Sequence, residues 1–276
     1  MIGSMFHRLY LVLAIVSLGA GQIPAQALTG KLALSPRSPA GRPLSAETDP
    51  RFIASLYALR DAVYNGAQPG EVEKTAQSLI EETKIQALGE IDRFLILARI
   101  EYLLARSWNE AGDKKNAILH FEAAMDSALL SMGLGEQPAG VMALTKPLSE
   151  LCLLKNMGFL IANGPKISRN AKKVLDMEAG HPGALIILAN AKAYPSAIFG
   201  GNPKEAIEEM EALLEARDEG FEKDDLFDIR TCVATALMKL DRQDEARFWF
   251  EAALQLYPGN KYALAELAKT KTKEKP

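Results

Sequence analysis

Small and bulky apolar residues alternate at helical spacing along most of the chain. Near the C-terminus, Ala246, Phe250 and Ala253 recur at i, i+4 and i+7, which places them on one face of a helix. Small Ala234 on the preceding segment lets a second helix approach closely, so that Phe250 packs between neighbouring pairs of helices. Because a single pair cannot bury this face alone, the pattern predicts a stacked array of helical hairpins.

The same spacing recurs upstream. It is strongest across residues 98–131, where the matching positions are Ala105, Trp108, Gly112, Ala117, Phe121 and Ala124. A looser copy covers residues 182–217, with extra residues in the turn between its two helices. A weaker copy lies at 147–178, where residues 154–161 match a first helix and residues 171–177 match a second helix in a different register. The pattern therefore predicts a hairpin there but leaves its register open.

Capping and helix-breaking residues divide the chain into a series of predicted helices. They cover residues 50–65, 70–87, 90–111, 114–131, 139–163, 166–178, 182–194, 203–218, 224–240, 243–256 and 260–272. Asp49–Pro50 and Asn202–Pro203 each give an N-cap followed by a proline at the first helical position. Pro147 is expected to kink its helix or to begin a new helix near Lys146. No segment shows the alternation of a β-strand, so the predicted fold class is all-α.

The first 27 residues have a different character. A short basic region at His7 and Arg8 precedes an apolar run, Leu9–Gly19, and the small residues Ala25–Ala27. This order is typical of a secretory signal peptide, and the apolar run is shorter than the roughly 20 residues that a membrane-spanning helix needs. No cysteine near the cut offers a lipid attachment. The sequence therefore predicts cleavage after Ala27, a flexible proline-rich leader at 28–48 and a soluble periplasmic protein.

The charge and the reactive residues favour a non-enzymatic protein. The formal net charge is −3, and it becomes one unit more negative without the signal peptide, so no nucleic-acid-binding surface is expected. The histidines that remain are His120 and His181, the cysteines are Cys152 and Cys232, and neither pair has metal-ligand spacing. No nucleophile, metal or phosphate-binding motif occurs. We therefore expect no catalytic residue, metal or cofactor, and we expect free, buried thiols because two hairpins separate the cysteines.

An apolar insertion at residues 194–203 interrupts the predicted hairpin at 182–217. Ile198 and Phe199 either fold back and seal the neighbouring hairpin, or they line a surface for a ligand or partner. Gly200 and Gly201 allow a sharp return of the chain. Both interpretations stay open at the level of the sequence.

Residues 98–131 and 227–260 closely resemble tetratricopeptide (TPR) repeats, which are helix–turn–helix units of 34 residues. With the export signal and the loop at 199–203, the chain is similar to periplasmic TPR proteins that include the T component of TRAP-type transporters. The resemblance implies a right-handed α-solenoid of about four to five hairpins with a C-terminal capping helix, formed by residues 49–272 and followed by a tail at 273–276. It also implies a concave wall, built from the first helix of each hairpin, that binds peptides, protein surfaces or small apolar ligands.

The resemblance places particular side chains on that concave wall. In the repeat at 98–131 they are Arg99, Tyr102, Arg106 and Asn109. In and beside the hairpin at 182–217 they are Ile186, Asn190, Tyr194 and Phe199, and in the repeat at 227–260 they are Asp228, Thr231, Thr235 and Met238. Two arginines near Tyr102 suit a carboxylate through paired hydrogen bonds, whereas Ile186 and Met238 offer apolar contact. The wall therefore favours a peptide-like or amphipathic ligand.

Two functions follow from this interpretation. The first is a non-enzymatic periplasmic scaffold that binds another protein or a peptide of the cell envelope through its concave surface. The second is an auxiliary subunit of a TRAP-type solute transporter, which carries an apolar or amphipathic ligand in a pocket lined by residues such as Phe159, Ile161, Ile198 and Phe199. An enzyme is a distant third. The sequence does not identify the partner, and it leaves open whether the chain forms a homo-oligomer.

Overall fold

The computed structural model describes residues 49–196, 200–216 and 221–270. Within these ranges the chain consists of helices and connecting turns, with no β-strand. The predicted all-α fold class is therefore confirmed. The predicted signal peptide, leader and tail, together with Ile198 and Phe199 of the insertion, lie outside the described residues.

Eleven α-helices follow one another in this part of the chain. They are α1 (Pro50–Tyr64), α2 (Pro69–Ile85), α3 (Glu90–Glu110), α4 (Lys114–Leu134), α5 (Pro138–Leu154), α6 (Met157–Met177), α7 (Pro182–Ala193), α8 (Pro203–Glu215), α9 (Lys223–Lys239), α10 (Gln243–Leu256) and α11 (Lys261–Leu267). Most of these bounds agree closely with the predicted helices. None of these helices is long and apolar enough to cross a membrane.

The helices divide into two compact units, with the boundary between Leu154 and Lys155. The N-terminal unit comprises α1 to α5, in which α3 contacts both α1 and α5, and α2 and α4 pack against this row. The C-terminal unit comprises α6 to α11, in which α7 contacts α9, and α6, α8 and α10 pack against one or both of them. Each unit thus has a row of first helices and a row of second helices.

Small and bulky residues join the helices as the pattern predicts. Phe121 on α4 and Phe250 on α10 are both completely buried (0% exposed). Ala105 on α3 and Ala234 on α9 are completely buried as well, so small residues lie where helices approach each other. Burial of a phenylalanine side chain contributes roughly 1.5–3 kcal/mol to folding. The prediction of packed helical hairpins is confirmed at these positions.

Polar side chains begin several helices at the predicted residues. Asp49 accepts a hydrogen bond from the backbone N–H of Arg51 at 2.8 Å, at the start of α1. Asn202 accepts one from the backbone N–H of Glu205 at 3.3 Å, at the start of α8. Each bond satisfies an amide group that has no partner within the first turn of its helix.

The predicted helix break beside Pro165 is wrong, and no new helix begins near Lys146. α5 runs through Pro147, and α6 runs through Pro165. The break between these helices lies at Asn156, whose side chain accepts a hydrogen bond from the backbone N–H of Phe159 at 2.9 Å. Residues 154–161 therefore form no separate first helix, and the weakest predicted hairpin is mostly one helix. Both helices bury apolar residues on each side of the proline, and this packing outweighs the local cost of about 3 kcal/mol.

Candidate functional site

A set of polar side chains lies on the first helices of the N-terminal unit. Arg106 on α3 donates a hydrogen bond from Nη1 to the hydroxyl of Tyr64 at the end of α1, at 2.7 Å. The guanidinium carbon lies 4.3 Å from the centre of the Tyr64 ring, which is a cation–π geometry. Nη2 of Arg106 lies 3.7 Å from a carboxylate oxygen of Glu110, one turn further along α3. The guanidinium is thus oriented by groups from two helices.

Glu150 on α5 adds a second carboxylate. Burial raises the pKa of Glu150, Arg106 lowers it and Glu110 raises it, so that this pKa lies above its ordinary value. Burial opposes the charge of Arg106, but the surrounding Tyr64, Tyr102, Glu110 and Glu150 raise its pKa well above the ordinary value. One half-buried guanidinium therefore interacts with two carboxylates and two phenols. We call these five residues the arginine cluster.

The structure brings together two residues that the sequence predicts for this wall, Tyr102 and Arg106. The ring of Tyr102 packs against the ring of Phe121 on α4, with 5.7 Å between the ring centres. Arg99 lies two turns before Arg106 on α3 and Asn109 lies three residues after it, and both are half-buried. A role of these four residues in binding stays a prediction.

A second polar set lies in the C-terminal unit. The hydroxyls of Thr235 on α9 and Tyr262 on α11 lie 2.9 Å apart, and the hydroxyl of Tyr194, directly after α7, lies 3.4 Å from that of Tyr262. Lys239, one turn after Thr235, donates from Nζ to the backbone carbonyl of Tyr194 and, at 2.9 Å, to that of Pro195. We call Tyr194, Thr235, Lys239 and Tyr262 the hydroxyl cluster.

Burial shifts the pKa values of the ionisable groups in and beside this cluster. It raises the pKa of Tyr194 well above its ordinary value and raises the pKa of Tyr262 to about 12. It also raises the pKa of the neighbouring Cys232 thiol and lowers the pKa of Lys239 to about 8. At neutral pH the cluster therefore presents neutral hydroxyl groups and one partly desolvated lysine.

The other predicted residues of the C-terminal unit differ in burial. Ile186 is buried in the core, and Thr231 is buried with its hydroxyl donating to a backbone carbonyl one turn earlier, at 3.0 Å. Asn190, Asp228 and Met238 are half-buried. The carboxamide oxygen of Asn190 accepts no hydrogen bond from the described residues. Phe199 lies outside the described residues.

Sequence reasoning missed five residues of the two clusters: Tyr64, Glu110, Glu150, Lys239 and Tyr262. Glu110 did carry a signal, because it lies four residues after Arg106 and side chains at that spacing meet on a helix. Tyr262 lies in the C-terminal capping helix, and the sequence gives no sign that its hydroxyl meets another. Tyr64 and Glu150 belong to other helices, and only the packing of those helices brings them to Arg106.

His120 contacts a neighbouring helix, and both cysteines are buried. Nδ1 of His120 lies 2.7 Å from a carboxylate oxygen of Glu101, so this pair links α4 to α3. Cys152 and Cys232 are buried thiols that are not joined in a disulfide, as predicted. Among the described residues, no group of three or more histidine, cysteine, aspartate and glutamate side chains is arranged to hold a metal ion.

Two of the residues proposed to line a ligand pocket lie on α6. Nζ of Lys155 lies 4.6 Å from the centre of the Phe159 ring. Ile161 is 60% exposed. Phe159 thus contacts a lysine, and most of the Ile161 side chain faces solvent.

No protein-family model and no curated protein sequence matches the chain. Among solved structures, a thermophilic TPR protein from Thermus thermophilus is similar, with 14% sequence identity and a TM-score of 0.48. The match covers 79% of this chain and 98% of that protein.

Proposed function

We propose that this protein is a non-enzymatic scaffold that binds another protein or a peptide through the surface of its first helices. The observation that carries the proposal is the arginine cluster, in which side chains from α1, α3 and α5 interact. Rows of repeated helices present extended surfaces, and a partner that lies along such a row contacts each helix in turn. A polar cluster on three successive first helices is suited to this type of contact.

The composition of the arginine cluster favours a polypeptide as the bound group. Tyr64 and Glu110 orient the guanidinium of Arg106 before a partner arrives, which lowers the entropy lost on binding. The remaining donors of Arg106 suit carbonyl or carboxylate oxygens, whereas Glu110 and Glu150 suit amide or ammonium donors. A peptide carries both kinds of group along its length. It fits this mixture better than a sugar or a nucleotide does.

The scaffold proposal can be tested by cross-linking from the surface itself. A photoreactive amino acid replaces Tyr102 in the full chain, the protein is expressed in its host, and captured proteins are identified by mass spectrometry. We expect one protein to be captured in a fixed ratio. Changing Arg99 and Arg106 together to Ala should abolish this capture while the circular dichroism spectrum stays helical.

A matched control changes Lys114 and Lys115 to Ala. These two cations are exposed at the start of α4, which is a second helix, so capture should be unaffected. If the arginine double variant captures the partner as well as the unchanged chain does, the arginine cluster is not the binding surface. Equal loss in the lysine control would attribute the effect to net charge.

The hydroxyl cluster favours a second candidate function, in which the protein carries a small amphipathic ligand as an auxiliary subunit of a TRAP-type solute transporter. Tyr194, Thr235 and Tyr262 suit a ligand with one polar end, because their hydroxyls are neutral and desolvated. Native mass spectrometry of protein purified from its host separates the two candidates. A bound small molecule that disappears in Tyr262→Phe supports the carrier, and a stoichiometric protein partner supports the scaffold.

The proposed location is the periplasm, because the first 27 residues have the basic, apolar and small-residue regions of a secretory signal in the usual order. The mass of the protein isolated from its host tests this point. A chain that begins at Leu28 supports export, and a chain that retains its first residues contradicts it.

A further inference from the structure

Four charged side chains lie on the exposed face of α6. They are Lys166, Arg169, Lys173 and Asp176, all exposed. Their spacing of three, four and three residues places them on one face of the helix. From the N-terminal to the C-terminal end, this face presents three positive charges and then one negative charge. We call it the basic face.

α8 carries the inverse arrangement. Lys204, Glu208, Glu211 and Glu215 are all exposed, and their spacing of four, three and four residues also places them on one face. From the N-terminal to the C-terminal end, this face presents one positive charge and then three negative charges. We call it the acidic face.

The two faces are complementary at every position when the helices are antiparallel. The pairs are Lys166 with Glu215, Arg169 with Glu211, Lys173 with Glu208, and Asp176 with Lys204. The lengths also agree, because the rise of about 1.5 Å per residue makes the basic face about 15 Å long and the acidic face about 16.5 Å long. In a parallel arrangement the terminal pairs would be two cations and two carboxylates, which repel each other.

One copy of the chain cannot form this antiparallel match within itself. Lys192 near the C-terminal end of α7 pairs with Glu205 and Glu209 near the N-terminal end of α8, so these two helices are antiparallel. α6 and α7 pack together through a short connection, which also makes them antiparallel. Because α6 and α8 are both antiparallel to α7, they run in the same direction. A second copy is needed to bring an α8 alongside α6 in the opposite direction.

One residue of each face has a contact with an exposed group of its own helix. Nζ of Lys166 donates to the side chain of Asn163 on its own helix, at 2.9 Å. A carboxylate oxygen of Glu208 lies 3.8 Å from Nζ of Lys204, also on its own helix. Contacts of this kind between exposed side chains contribute little and exchange readily with other partners.

We infer that the protein binds a second copy of itself, with the basic face of α6 in one copy against the acidic face of α8 in the next. The two surfaces differ, so the contact is heterologous and each copy still offers one free face. Repetition of the contact gives a closed ring or an open chain of copies. Because the contact consists of exposed charges, salt should weaken it strongly.

Charge reversal tests this inference by sedimentation velocity on the full chain, at low and at high salt. The unchanged protein should associate at low salt and dissociate at high salt. Reversing the basic face (Lys166→Glu, Arg169→Glu, Lys173→Glu) should weaken association by about 100-fold or more. Reversing the acidic face (Glu208→Lys, Glu211→Lys, Glu215→Lys) should do the same.

Mixing the two reversed proteins is the decisive measurement. In the mixture, the α6 that has been made acidic in one protein can contact the α8 that has been made basic in the other. Association should return in the mixture and in a chain that carries all six changes. A control reverses three exposed carboxylates of the N-terminal unit, Glu71, Glu81 and Asp126, and should leave association unchanged. The inference is overturned if the unchanged protein is monomeric at low salt, or if the mixture fails to associate. The salt titration uses only the unchanged protein, so its result does not depend on the folding of any variant.

Discussion

The two units of this protein build similar rows of first helices but line them with different chemistry. In the N-terminal unit, a guanidinium interacts with two carboxylates and two phenols. In the C-terminal unit, neutral hydroxyls meet one another beside a single desolvated lysine. Both units contain a fully buried phenylalanine on a second helix. Packing residues therefore fix where the first helices lie, and the polar residues on those helices are free to differ between units.

Removal of the aromatic packing residues should have the largest effect and should be equal in the two units. Phe121→Ala and Phe250→Ala each leave a cavity at a fully buried site, which costs about 3–5 kcal/mol of unfolding free energy. Phe248→Ala is the matched control, because Phe248 lies on the same helix as Phe250 but is 64% exposed. Its cost should be about 0.5 kcal/mol or less. Denaturant unfolding followed by circular dichroism measures all three variants.

Hydrogen exchange followed by mass spectrometry assigns each loss to its own unit. If Phe121→Ala and Phe250→Ala differ by more than about 2 kcal/mol, the packing of one unit compensates for the cavity and the other does not. The two rows of helices would then not share a common packing rule.

The turns between helices should differ in their tolerance of a side chain. Gly112 has a φ of +86° and open space around the position of a Cβ atom, so Gly112→Ala should cost about 1–2 kcal/mol of backbone strain. A Cβ atom on Gly201 would overlap the backbone carbonyl of Pro195. Gly201→Ala must therefore move the backbone of Gly201 away from that of Pro195, at about 3 kcal/mol. Thermal or denaturant unfolding compares the two variants.

Gly133→Ala serves as the control for these turns. Gly133 lies inside α4, with open space around a Cβ atom, so alanine should stabilise the helix by about 0.5–1 kcal/mol. A Gly201→Ala variant as stable as the unchanged protein would show that the backbone at Gly201 and Pro195 separates easily. The C-terminal turn would then be no more constrained than the N-terminal one.

The two polar clusters should respond differently to salt. Arg106→Met keeps the aliphatic stem but removes the bond to Tyr64 and the charge near Glu110 and Glu150, so we expect a loss of about 1.5–3 kcal/mol that shrinks at high salt. Thr235→Val removes one neutral hydrogen bond and should cost about 0.5–1.5 kcal/mol at any salt concentration. The free energy of unfolding of each variant and of the unchanged protein, measured at low and at high salt, tests this difference. Equal salt dependence in both variants would remove the electrostatic distinction between the clusters.

Much of the fold could be predicted because local spacing reports which residues share a helix face. The burial of Phe121 and Phe250 follows from such spacing, and so do the caps at Asp49 and Asn202. The helix through Pro165 could not be predicted in this way, because a local rule gives the cost of a proline but not the packing that offsets it.

The candidate site likewise contains residues that could be predicted and residues that could not. The resemblance to TPR repeats placed Tyr102 and Arg106 of α3, and Thr235 of α9, among the predicted wall residues. The residues that complete the clusters, Tyr64, Glu150 and Tyr262, come from separate helices. Their contacts depend on how helices stack, and no spacing within a single helix carries that information.

The smallest effect we expect is on the pH dependence of stability, and its sign should be opposite in the two units. The folded-state pKa of Glu150 is raised, so its contribution to stability is complete at low pH and is lost as the pH rises through that pKa. The pKa of Lys239 falls from the ordinary 10.5 to about 8, so between these values the unfolded chain binds a proton that the folded chain has released. Stability should therefore rise with pH across that alkaline window.

Difference curves of unfolding free energy against pH isolate the two contributions. Glu150→Gln should remove the decline in the acid range and leave the alkaline range unchanged, and Lys239→Met should remove only the alkaline rise. If Lys239→Met leaves the slope between pH 8 and 10.5 unchanged, the carbonyls of Tyr194 and Pro195 hold the ammonium group well enough to offset its burial. Lys239 would then stay protonated across that alkaline window, and the pH dependence of stability would no longer distinguish the C-terminal unit in that range.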